Sequence, residues 1–148
     1  MRLFILCALL MSAAALRPQP TYANDSQCPN QVIHRSNEEI LADHYAALLS
    51  EDPERVACDY ADDASVILAG TVVTGREQIA GLFAYFFSLM GGPGSIVVHS
   101  VTTTGTALLL EWGLESPHLT VGDGVDTFVF RKGRISYQTV HLGAATFH

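Results

Sequence analysis

The order in which two periodicities follow each other constrains this chain most. Up to Gly91 apolar residues recur at helical spacing, and after Gly94 they recur as in strands. Ser36-Asn37-Glu38-Glu39 is a capping box, in which the Ser hydroxyl accepts a first-turn amide and Glu39 reaches back. It opens a helix to about Ser50 that carries Leu41, Tyr45 and Leu48 on one face. Asp52-Pro53-Glu54 sets a capping Asp before a first-turn Pro and starts a short helix running to about Tyr60. Ala64 to Ala69 reads as a short strand. Thr74-Gly75-Arg76-Glu77 forms a second capping box. The helix after it bears Ile79, Leu82, Phe83, Phe86 and Met90 on one stripe, and Gly91, Gly92 and Pro93 end it.

The second half reads as strands over Ile96–Thr104, Thr106–Ser116, Leu119–Val121, Val125–Phe130 and Arg134–Leu142. Turns fall at Pro117-His118 and Lys132-Gly133, and Asp123-Gly124 marks a bulge or kink. Helices first and strands afterwards imply an α+β fold. The expected form is a curved sheet of mostly antiparallel strands with helices covering one face and a cavity between the layers.

The N-terminus reads as an export signal. Arg2 precedes an apolar run from Leu3 to Leu16, then come Arg17, Pro18 and Pro20, and Thr21-Tyr22-Ala23 offers small residues at the cleavage positions. The run is shorter than the roughly 20 residues a bilayer span needs. Residues 1–23 are therefore expected to be removed, 24–37 to form a polar arm, and 38–148 to form one domain, periplasmic or secreted. The net charge of −7 becomes more negative once Arg2 and Arg17 are lost, and the only basic cluster is Arg131, Lys132 and Arg134. Nucleic acid is excluded as a partner on this balance, and no later segment reads as membrane-inserting. Cys28 and Cys58 remain after cleavage. An oxidising destination favours a disulfide between them, the alternative being a buried free Cys58 and a loose Cys28. Neither cysteine has zinc-site spacing, so no metal is expected.

No nucleophile elbow, phosphate loop or metalloprotease motif is present. Asp126 is the sharpest single residue. In Val125-Asp126-Thr127-Phe128-Val129-Phe130, alternation sets Asp126 on the face of Phe128 and Phe130. A carboxyl group there is desolvated, which raises its pKa and lets it act as an acid or a hydrogen-bond donor. The alternatives are an outward Phe face in a homodimer or a structurally paired Asp. Tyr45 projects its phenol from the first helix, either into the cavity or onto backbone. Trp112, with Phe83, Phe86 and Phe128, is expected to wall the pocket. Gln138 and His141 have opposite phase on the last strand, so one at most lines a regular strand's pocket face. His141 is the secondary candidate for a base.

These residues resemble the nuclear transport factor 2-like superfamily, specifically its SnoaL-like and ketosteroid-isomerase-like group. The matching stretches are Tyr45-Ala46-Ala47-Leu48, Tyr60 to Val66, Thr74 to Ile79, and Val125 to Phe130 with Gly133-Arg134-Ile135. The resemblance implies a cone-shaped, cystatin-like roll, with the helices packed on the concave face of the sheet, over nearly all of residues 38–148. It aligns Tyr45 and Asp126 with the Tyr and protonated Asp of the isomerase oxyanion hole. It also places Leu68 where the isomerase base would stand, so a ketosteroid isomerase is not implied. The Asp-Arg-Asp set of limonene epoxide hydrolases is missing from Leu110–Leu114 and Ser136–His141. Two readings that use the pocket follow, of different class. One is a binding protein for a small, largely apolar molecule, with Asp126 and Tyr45 as polar contacts. The other is a cofactor-independent isomerase, lyase or cyclase in which Asp126 is the acid and His141 or water replaces the missing base. A structural module whose own side chains fill the cavity is the third.

Overall fold

The computed structural model describes Cys28 and residues 35–148; the expected signal and most of the expected arm lie outside the described residues. The first helix, α1, is Asn37–Leu49. Ser36 caps it as read: its hydroxyl accepts from the Glu39 amide at 3.2 Å, and Glu39 Oε2 accepts from the Ser36 amide at 2.7 Å. Helix α2 is Pro53–Ala57, with the Asp52 side chain accepting from the Arg55 amide. It stops short of Tyr60, because Tyr60 already opens strand β1, Tyr60–Leu68, and aligns with Ile135 in the sheet.

Strand β2, Thr71–Thr74, was not legible as a separate element. Ala69 and Gly70, both at positive φ, turn the chain tightly into it. This also changes the start of helix α3, Arg76–Met90. Thr74 is still in the strand, paired with Ser65, and its hydroxyl meets the Ser65 hydroxyl at 3.0 Å. The expected capping box therefore does not form: Gly75 is the N-cap, without a side-chain cap. The helix ends at Gly91 in the left-handed region, where a Cβ would collide with the His118 ring.

Strands β3 Ser95–Thr104, β4 Ala107–Glu115, β5 Leu119–Arg131 and β6 Arg134–Leu142 form an antiparallel run, and β7 Ala145–Phe147 pairs with the start of β5. The order is β2-β1-β6-β5-β4-β3, with β1 and β6 the parallel pair. The kink expected at Asp123-Gly124 is a bulge inside one continuous β5. Trp112 faces Gly124 and Leu114 faces Val121, so β5 spends one residue more than β4 over the same span. The sheet is curved and unclosed, and the helices cover its concave face.

Alternation along β5 holds as read: Asp126, Phe128 and Phe130 are buried while Val125, Thr127 and Val129 are half-exposed. One apolar cluster joins Ile40, Val56, Tyr60, Ile79, Phe128 and Ile135; a second joins Met90, Trp112, Leu114, Leu119 and Val121. Each large side chain so buried contributes roughly 1.5–3 kcal/mol. Cys28 and Cys58 form a disulfide with Cα atoms 5.3 Å apart, tying the arm to the end of α2. Among the described residues, no helix is long and apolar enough to cross a membrane.

Candidate functional site

The curved sheet leaves a cavity of about 460 Å³ beneath α1 and α3. That is within the range of small-molecule sites. Its walls are overwhelmingly apolar. Leu41 and Leu48 from α1, Phe83 and Phe86 from α3, and Leu110 and Phe128 from the sheet supply much of them. Trp112 also lines it. Each stands there because its element shows one face inward: the α3 stripe by helical spacing, β4 and β5 by alternation.

Asp126 lines this cavity from β5 and is buried. Its Oδ2 accepts from Gln138 Nε2 at 2.8 Å, and Gln138 Oε1 in turn accepts from the Tyr60 hydroxyl. Three strands thus build one polar chain, Tyr60 on β1, Gln138 on β6 and Asp126 on β5. The other carboxyl oxygen, Oδ1, is buried and has no hydrogen-bond partner. Burial pushes the Asp126 pKa up to about 6; the Trp112 indole, the Gln138 amide and the charge of His44 each pull it back in part. The indole acts as a nearby N–H donor, although its Nε1 has no partner at full hydrogen-bond geometry. Tyr60 is pushed well above its ordinary value by burial, with the negative charges of Asp126 and Asp59 adding to the effect.

Tyr45 lines the cavity, but its hydroxyl donates to the Ile96 carbonyl at 3.2 Å. It ties α1 to β3 instead of pairing with Asp126. The tyrosine linked to Asp126 is Tyr60, through Gln138. Of the two β6 candidates, Gln138 is buried in the cavity wall. His141 pairs in register with Val125 on the outer side of the sheet and is exposed. The expected role of His141 as replacement base is therefore corrected: strand phase puts it outside the pocket. Leu68, which the resemblance aligns with the isomerase base, does line the cavity.

Two residues were missed. His44 is buried in the cavity wall, its ring edge-on to Tyr60, Phe83 and Phe128 at centroid distances of 5.6 to 5.9 Å. Its Nδ1 lies 3.7 Å from Asp59 Oδ2, too long for a hydrogen bond. Asp59 is buried and held by Arg35, whose Nη1 reaches its Oδ1 at 2.8 Å. The available signal was the spacing Ile40, His44, Ala47, which is the buried face of α1. A histidine within such a face needs a polar reason to be there. The site so built has a carboxyl poised near neutrality and an imidazole on the same wall system. It can accept or donate one proton or one hydrogen bond inside an apolar enclosure.

A family model described as a SnoaL-like domain matches residues 41–138. A search of the curated proteins finds no match. Among solved structures, the epoxide hydrolase/cyclase-like enzyme SalBIII, named for pyran ring formation in the polyether salinomycin, is similar at TM-score 0.64 and 17% identity. The alignment covers 75% of this chain and 95% of that one. An NTF-2 like protein of unknown function from Burkholderia xenovorans LB400 aligns at TM-score 0.62 and 20% identity, covering 72% of this chain and 81% of its own. An LEH-like epoxide hydrolase from M. tuberculosis aligns at TM-score 0.56 and 23% identity, covering 70% and 80%. At these identities the shared property is the fold. The matched span takes in most of α1, both layers and the Asp126–Gln138 pair, and the chain belongs to the SnoaL-like domain family.

Proposed function

We propose that this protein binds a small, largely apolar molecule in the cavity under α1 and α3, with Asp126 as the principal polar contact. One observation carries the reading: a nearly all-apolar cavity of about 460 Å³ has in its wall a buried carboxyl group with one oxygen unpartnered. Apolar walls give affinity, and the few polar groups give orientation. The test uses prodan, a neutral naphthalene dye whose emission shifts to the blue in apolar sites. Wild type is expected to bind it. Leu110→Trp, which fills the cavity, is expected to lose binding while keeping its circular dichroism. Equal binding by both proteins would place the dye elsewhere and count against the reading.

His44 favours a second reading, cofactor-independent acid/base catalysis. A buried imidazole beside Asp59 supplies the base that Leu68 and His141 do not, with Asp126 as acid. In that case His44→Gln abolishes turnover and spares binding.

Action outside the cytoplasm, in the periplasm or after secretion, belongs to the same proposal. It is supported by the leader-like residues 1–23 and by the Cys28–Cys58 bridge. Pairing of two copies through the outer face of the sheet is supported by the exposed Ile67, Val97, Leu109 and Tyr137.

A further inference from the structure

Among the described residues, the cavity wall holds three buried polar side chains with an unpartnered atom. His44 Nδ1 looks toward Asp59. The other two are of opposite kind: Trp112 Nε1–H is a donor without an acceptor, and Asp126 Oδ1 is an acceptor without a donor. Both residues are 7% exposed. They stand on neighbouring strands, Trp112 opposite Gly124 and Asp126 opposite Leu110. The indole lies over Gly124, where a Cβ would collide with it, and this brings the ring beside the carboxyl group. The indole is near enough to favour the charged carboxylate as a hydrogen-bond donor does, but neither Nε1 nor Oδ1 has a partner at full hydrogen-bond geometry.

We infer that the pocket selects an apolar molecule bearing one hydroxyl group, an alcohol or a phenol. Its oxygen accepts from Trp112 Nε1–H and its O–H donates to Asp126 Oδ1. The inference rests on the ligand-binding reading above and narrows its substrate class. A hydroxyl is donor and acceptor in one atom, which is what a facing donor and acceptor require. A ketone satisfies the indole and sets a second acceptor against the carboxylate. An ammonium satisfies the carboxylate and sets a second donor against the indole. A ligand carboxylate is repelled, since no Lys or Arg lines the cavity to offset it. Around Asp126, Gln138 from β6 holds Oδ2 and Tyr60 from β1 holds Gln138, while His44 faces the cavity from α1 with its Nδ1 unpartnered.

Decahydro-2-naphthol, decahydro-2-naphthalenone and decahydronaphthalene share one skeleton and differ in one group. Each is titrated into the disulfide-bonded protein at pH 8, where Asp126 is ionised. The readouts are the fluorescence of Trp112, the only tryptophan of the chain, and calorimetry. The alcohol is expected to bind at least about tenfold more tightly than the ketone or the hydrocarbon. In Asp126→Asn the preference should invert. Gln138 keeps an oxygen at the Oδ2 position, so the Asn amide nitrogen replaces Oδ1, and two donors then favour the ketone. If the three ligands bind wild type alike, the hydroxyl inference is overturned while the apolar pocket stands, the donor and acceptor then being bridged by water. If none binds, both readings fall. An unchanged alcohol preference in Asp126→Asn would overturn the role given to Oδ1. The wild-type comparison decides on its own if that variant does not fold.

Discussion

Gln138 orients Asp126: its amide donates to Oδ2 at 2.8 Å while its own oxygen is held by the Tyr60 hydroxyl. The amide bond stabilises the charged carboxylate and so opposes the burial that raises the pKa. Gln138→Leu is expected to raise the Asp126 pKa beyond about 6, measured by NMR titration of the carboxyl carbon. At pH 8 the same change should cost roughly 1–3 kcal/mol, because the Tyr60 hydroxyl and the carboxylate are both left unpaired. An unchanged pKa would mean that Gln138 does not touch the carboxylate in solution.

Stability should depend on pH through Asp126 with a defined sign. Its folded pKa of about 6 lies above the unfolded value of 3.8. The folded state therefore binds the proton more tightly, and this contribution is fully present below pH about 4 and lost as pH rises through about 6. Asp126→Asn removes it. Relative to wild type, the variant should gain roughly 2–3 kcal/mol between pH 4 and pH 8, read from urea melts at both values. The opposite slope would place Asp126 in a setting that favours its charge.

Gly124 is occupied by the Trp112 ring, so Gly124→Ala should displace the indole. The expected cost is roughly 1–3 kcal/mol. Because Trp112 is the only tryptophan, its emission should shift to the red as the ring leaves its buried site. Emission identical to wild type would contradict the placement of the ring.

How much of this was legible differs by residue. The inward face of β5 followed from strict alternation around Asp126, and the α3 stripe from helical spacing; both are local patterns. The polar chain from Tyr60 to Asp126 was not legible. It depends on β1 and β6 lying parallel, with Val66 beside Gln138, a pairing between residues about 70 positions apart. Tyr60 read as the end of a helix for the same reason, since only the sheet pulls it into a strand. His44 stayed hidden because Leu41, Tyr45 and Leu48 made a plausible apolar face one residue away. That face does line the cavity, while Ile40, His44 and Ala47 are its buried neighbours. Strands β2 and β7 have four and three residues, too few for any period to declare itself.

The disulfide should matter to stability as well as to the route the chain takes. Thirty residues separate Cys28 from Cys58. Reduction, or the pair Cys28→Ser with Cys58→Ser, should lower stability by roughly 3–4 kcal/mol in the chain-entropy view. Thiol titration of exported protein under denaturing conditions should find essentially none free, and intact mass should show a start at or near Asn24. Two reactive thiols and a retained leader would remove the support for export.

The proposed function puts a small molecule against Asp126 inside an apolar cavity. A crystal structure of protein purified from its native host, or soaked with decahydro-2-naphthol, tests it most directly. Ligand density is expected beneath α1 and α3 with one polar atom within about 3.2 Å of Asp126 Oδ1. A cavity closed by its own side chains in both crystals, with Phe86 and Trp112 turned inward and no ligand beside Asp126, would contradict it and leave a structural module.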